Sequence, residues 1–167
     1  MKLATLIGTA ALLLGTNAVA QDISYDYDKS ADFGRMQTYA WVNGDRVGDD
    51  LNHARIMGAI DHQLAAKGMR RAGSVAEADL LVTYHAIVTT EASVTGSRFG
   101  FNRLASARVE EVAVGTLVVD LRDGRSGAVV WRGVASRDLD AKASPEEREK
   151  NINKAVEKMF KHYPPAR

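Results

Sequence analysis

Two β-rich runs flanking Asp123-Gly124 constrain this chain more than any other feature. Glu110 to Leu121 and Gly127 to Arg137 lie on either side of Arg122-Asp123-Gly124-Arg125-Ser126-Gly127. Asp-Gly between two such runs signals a hairpin, because tight turns need residues that tolerate positive φ. A third run, Asp79 to Thr90, comes before them. In it Leu80, Val82, Tyr84, Ala86 and Val88 share one face, while Thr83, His85 and Thr89 share the other, with Ile87 the exception. That period of two belongs to a half-buried strand. Three successive strands imply a sheet, and the apolar face of a sheet must be covered.

Two helices are available as the cover. Leu51 to Lys67 sets Ile56, Met57, Ile60 and Leu64 at helical spacing, with Asp50 as the expected N-cap and Gly68 as the stop. The second helix starts after Ser144, with Pro145 at its first position and Glu147 placed for a capping box. Ile152, Ala155, Val156, Met159, Phe160 and Tyr163 then form its apolar stripe, and Pro164-Pro165 ends it. Two short strands precede both helices. In one, Ile23, Tyr25 and Tyr27 alternate with acidic and serine residues; in the other, Gln37 to Val42, Tyr39 and Trp41 share a face. Asn43 to Asp50 reads as loop. The predicted fold is α+β in the order β-β-α-β-β-β-α: an antiparallel or mixed sheet of about five strands with both helices on one face.

The N-terminus bounds the compartment. Lys2 precedes the apolar stretch Leu3 to Leu14, and Ala18-Val19-Ala20 supplies a small-x-small end. This order predicts a secretory signal peptide over residues 1–20, cut after Ala20, leaving residues 21–167 as one domain in the periplasm. Cysteine is absent, so disulfides, thiol catalysis, Cys-based metal sites and N-terminal lipidation are all excluded. The chain carries 22 Lys and Arg against 21 Asp and Glu. With Lys2 in the leader, the mature charge is close to zero, and nothing in it calls for nucleic acid as partner. No later run is long and apolar enough to span a bilayer.

Few residue patterns point to chemistry. His53 and His62 are nine apart, on opposite sides of a helix, so they make no metal pair and read as solvated surface residues. Glu110 and Glu111 face opposite sides of a strand, and Glu146 and Glu147 complement a helix N-terminus. No metal or cofactor is expected. His85, on the polar strand face near Thr83, is the one candidate acid–base group. Residues 93–108 read as loop without a folding rationale; within it Arg98 and Arg103 are interleaved with Phe99 and Phe101. Arginines beside exposed aromatics suit a contact surface for an envelope protein, a glycan or a lipid.

Several short motifs together resemble a known family. They are Asp32-Phe33 with Thr38-Tyr39-Ala40-Trp41, Leu64-Ala65-Ala66-Lys67-Gly68, Ala78 to His85, Gly115 to Asp120, and Val130-Trp131-Arg132-Gly133. In this order they are similar to a bacterial envelope domain of unknown function, family 4136. The resemblance implies a periplasm-facing α+β domain, often a lipoprotein, with no established activity; this chain departs from it in lacking the lipidation cysteine. It also implies that residues 93–108 are a reduced form of a Gly- and aromatic-rich insert. By their chemistry the motifs are structural: Trp131 an apolar anchor, Gly115 and Gly133 points of close packing, Asp79 a cap or turn into its strand. The expected function is a non-enzymatic binding or scaffold module of the envelope. The alternatives are a lipid or peptide carrier binding between helices and sheet, and an envelope hydrolase using His85.

Overall fold

The computed structural model describes residues 21–42, 49–95 and 108–165. One mixed sheet contains β1 (Asp22–Tyr27), β2 (Thr38–Trp41), β3 (Arg70–Arg71), β4 (Leu80–Thr95), β5 (Arg108–Asp123) and β6 (Val129–Asp138). Their spatial order is β1-β6-β5-β4-β2-β3. The β1/β6, β6/β5 and β5/β4 pairs are antiparallel; β2 runs parallel to β4 and to β3. Helices α1 (Asp50–Ala66) and α2 (Pro145–Phe160) pack against each other and share one apolar core with the sheet. The α+β architecture is the predicted one, with a sixth strand added. That strand, β3, is two residues long and too short to leave an alternation in the sequence.

The hairpin at Asp123-Gly124 is present, but its turn is longer than a two-residue loop. Asp123 N–H donates to the Ala128 carbonyl (2.9 Å) and Gly127 N–H to the Asp123 carbonyl (2.8 Å). Asp123 Oδ1 also accepts from the Arg125 and Ser126 amides. Gly127, at φ 71°, supplies the left-handed residue. Gly124 serves another purpose: a Cβ there would come within 2.0 Å of the Ala78 carbonyl oxygen. The turn is thereby laid against the entry to β4.

Helix α1 starts one residue earlier than expected. Asp49, not Asp50, is the N-cap, accepting from the Leu51 and Asn52 amides. Gly68, at φ 81°, follows its end. Helix α2 has the predicted capping box: Ser144 Oγ accepts from Glu147 N–H, and the Glu147 carboxylate accepts from Ser144 N–H at 2.9 Å. Its stripe is buried at Ala155, Val156, Met159 and Phe160. Asp79 joins β4 to β2, because its Oδ2 accepts from the Gln37 and Thr38 amides (both 3.0 Å) and from the Thr38 hydroxyl (2.8 Å). Those bonds, first the Gln37 amide and then the Thr38 hydroxyl, hold its carboxyl below the usual range.

β4 and β5 outrun the rest of the sheet. Each has 16 residues, and they pair from Leu80↔Asp123 to Thr95↔Arg108. β6 accompanies β5 only to Val114, with one further bond from Leu139 N–H to the Ala113 carbonyl (2.7 Å). β2 leaves β4 at Val82. The rest of the pair is a two-stranded ribbon, so the predicted loop at 93–108 is strand up to Thr95 and again from Arg108.

Candidate functional site

The helix-covered face of the sheet is built in cross-strand rows, and residue size changes along them. The first row is Val82, Leu121 and Trp131; the next is Tyr84, Val119 and Gly133. Trp131 is fully buried and its ring lies 5.1 Å from that of Phe160 and 5.5 Å from that of Tyr163. Gly133 admits α2, since a Cβ there would lie 2.3 Å from Met159 Cγ and 2.4 Å from Trp131 Cη2. At this end the core is filled.

Further along, the side chains shrink. The third row is Ala86, Leu117 and Ala135, and the fourth is Val88, Gly115 and Arg137. Ile56 of α1 and Ile152 and Ala155 of α2 face this end. Ala86, Gly115 and Ala135 on the sheet and Ala155 on α2 leave space between the layers, and a cleft of ≈ 370 Å³ opens there. Gly115 keeps its row low, because a Cβ would lie 2.8 Å from Leu139 Cδ2. The polar lining includes Asn52, Asn151, Asp140, Arg137 and Arg148.

The two arginines are held by backbone oxygens. Arg148 Nε donates to the Ala143 carbonyl (3.1 Å) and Nη2 to the Ala141 carbonyl (3.5 Å); Arg137 Nε donates to the Asp138 carbonyl (3.1 Å). Among the described residues neither guanidinium has a carboxylate partner. Asp140 Oδ1 accepts instead from Lys142 N–H at 2.8 Å.

A polar cluster lies beside α1 on the same side of the sheet. His53 Nδ1 is hydrogen-bonded to the Tyr84 hydroxyl, and Trp41 meets Tyr84 edge-on at 6.4 Å. Asp61 Oδ1 accepts from the Tyr39 hydroxyl and from Trp41 Nε1, both at 2.8 Å. Burial, then the Asp61 carboxylate, pushes the Tyr39 phenol up to about 12. His53 is therefore half-buried and bonded to a core tyrosine, where the sequence reading had it as a solvated surface residue. Its partner is contributed by a strand, which helical spacing cannot reveal.

Of the residues singled out from sequence, Arg98, Phe99, Phe101 and Arg103 lie outside the described residues. His85 is placed on the sheet face turned away from the helices, opposite Val118 on β5. Asp120 shares that face, opposite Thr83. Both its oxygens accept from Arg132, Oδ1 from Nε at 2.6 Å and Oδ2 from Nη2 at 2.7 Å. Asp120 thus forms a bidentate pair with the Arg132 guanidinium. Among the described residues no group of three or more metal-ligating side chains occurs, and no helix is long and apolar enough to cross a membrane.

Solved structures share this fold. A PDZ domain protein from Parabacteroides distasonis is similar with a TM-score of 0.61 and 17% identity over 88% of this chain, which spans only 37% of that one. A DUF4136 family protein from Bacteroides thetaiotaomicron gives a TM-score of 0.52 and 14% identity, covering 86% of this chain and 96% of that one. The PelC dodecamer from Paraburkholderia phytofirmans gives 0.50 and 14%, covering 84% and 96%. No curated protein matches the sequence. The family model for DUF4136, a domain of unknown function, matches residues 23–165, and the chain belongs to that family.

Proposed function

We propose that the chain is an exported, non-enzymatic binding module of the cell envelope, and that the apolar cleft is its binding element. The cleft carries this reading. Its ≈ 370 Å³ falls within the roughly 300–1,000 Å³ of small-molecule sites, which pair apolar walls with a few placed polar groups. Asn52, Asn151, Arg137 and Arg148 supply donors that orient a ligand without activating it. Export is supported by the leader-like residues 1–20, and envelope placement by the family resemblance. Arg98, Phe99, Phe101 and Arg103 are proposed as a separate contact surface for an envelope protein, glycan or lipid partner.

Native mass spectrometry of the protein, purified from the periplasm without a denaturing step, tests this. The expected spectrum shows an adduct that leaves on collisional activation and is missing from Val88→Glu. Val88 lines the cleft yet is exposed, so that change charges the cleft without entering the core. A bare protein mass in the wild type, or an adduct that Val88→Glu retains, removes the cleft as the binding element. The same spectrum starts at Gln21 if the leader is cut where expected. It also counts subunits, the relevant point for a scaffold role given the likeness to the PelC dodecamer.

A further inference from the structure

We infer that the cleft takes an anionic amphiphile of the fatty-acid kind, its single acyl chain between helices and sheet and its carboxylate on Arg137 and Arg148. The inference rests on the cleft being the binding element and adds the chemistry of the occupant. The walls are aliphatic: Ile56, Val88, Leu117, Leu139 and Ile152 line the space, and among the described residues no aromatic side chain lines it to stack a ring ligand. An acyl chain fits such a surface by dispersion and burial alone.

The head group follows from charge. Arg137 and Arg148 come from different elements, β6 and α2, and both line the same cleft. Among the described residues Arg137 gives one N–H to a backbone oxygen and Arg148 gives two. A guanidinium has five N–H donors, so both keep donors and a full positive charge. Asp140 also lines the cleft, its Oδ1 accepting from the Lys142 amide, and sets one negative charge against the two guanidinium charges. Arg148 also occupies the fourth position of α2, near the helix end whose dipole disfavours a cation. A basic side chain there, with a second one lining the same cleft from the sheet, outweighs Asp140 and leaves net positive charge at the rim of an apolar recess. Guanidinium and carboxylate match in geometry and charge.

Isothermal titration of the purified protein with laurate, neutral monolaurin and cationic dodecyltrimethylammonium, each below its micelle concentration, tests the assignment. Laurate is expected to bind at least about tenfold more tightly than monolaurin, with the cation weakest, and the margin is expected to shrink as salt rises. Arg137→Gln with Arg148→Gln should erase the laurate preference, bringing laurate down to the affinity that the same variant shows for monolaurin. The double lysine variant should keep part of the preference, which separates charge from a folding effect. Equal binding of laurate and monolaurin, or a preference that survives both glutamines, overturns the head-group assignment while leaving an apolar cleft in place. Binding of none of the three overturns the inference and the cleft reading together.

Discussion

The pairing of Asp120 with Arg132 is unequal, and the inequality predicts an order of stabilities. Asp120 has 1% of its side chain exposed, Arg132 50%. Removing the carboxylate leaves a guanidinium already half in water, which rehydrates where it stands. Removing the guanidinium leaves a buried carboxylate whose remaining cation among the described residues, Arg122, is 3.9 Å away. An uncompensated buried charge costs about 3–5 kcal/mol, whereas losing a charge-assisted bond to a solvated partner costs about 1.5–3 kcal/mol. Arg132→Ala should therefore destabilise more than Asp120→Ala, and the double variant should be more stable than Arg132→Ala alone. In urea, with a slope of roughly 2 kcal/mol per molar, Arg132→Ala should lower the midpoint by about 2 M at neutral pH. The double variant should recover a substantial part of that loss. An Asp120→Ala variant less stable than Arg132→Ala, or a double variant that unfolds before Arg132→Ala, would refute this order.

Two further perturbations test the packing and the strand junction. Gly133→Ala drives a methyl into Met159 and Trp131 and should cost about 1–3 kcal/mol as overpacking, read as a urea midpoint shift that Met159→Ala partly relieves; an unchanged midpoint would contradict the close approach. Asp79→Ala removes an acceptor for three donors and should cost about 2 kcal/mol at neutral pH. Because the folded state holds the Asp79 carboxyl below its ordinary 3.8, its contribution is present above that value and lost as pH falls through the lowered one. The gap between wild type and Asp79→Ala should therefore be narrower at about pH 3 than at neutral pH, and a gap independent of pH would exclude the ionised form as the source.

What was legible in the sequence was local. The capping box from Ser144 to Glu147, the stripe from Ile152 to Phe160, the stop at Gly68 and the alternation Leu80-Val82-Tyr84 each depend on spacing within one element, and each is present. Family motifs added Gly133, Trp131 and Asp79, whose roles are now visible as close packing, core anchor and strand junction. Contacts between elements were out of reach. Asp49 and Asp50 are equally good caps by type, and only the path of the chain into α1 separates them. His53 finds Tyr84 across the layers. The cleft depends on Ala86, Gly115 and Ala135, which are scattered along three strands and become neighbours only through register. Arg137 and Arg148 likewise carried no pattern until the fold brought β6 and α2 to one opening.

The gradient from Trp131 to Gly115 divides labour between two ends of one interior. Trp131, Phe160 and Met159 at the filled end are fully buried, so a change there is felt first as lost stability. At the open end, growth at Ala86 or Ala135 displaces empty space before it displaces protein. Under the proposed reading, single carbons added in these two rows set the length and girth of the occupant, while the anchor that keeps the chain folded stays untouched.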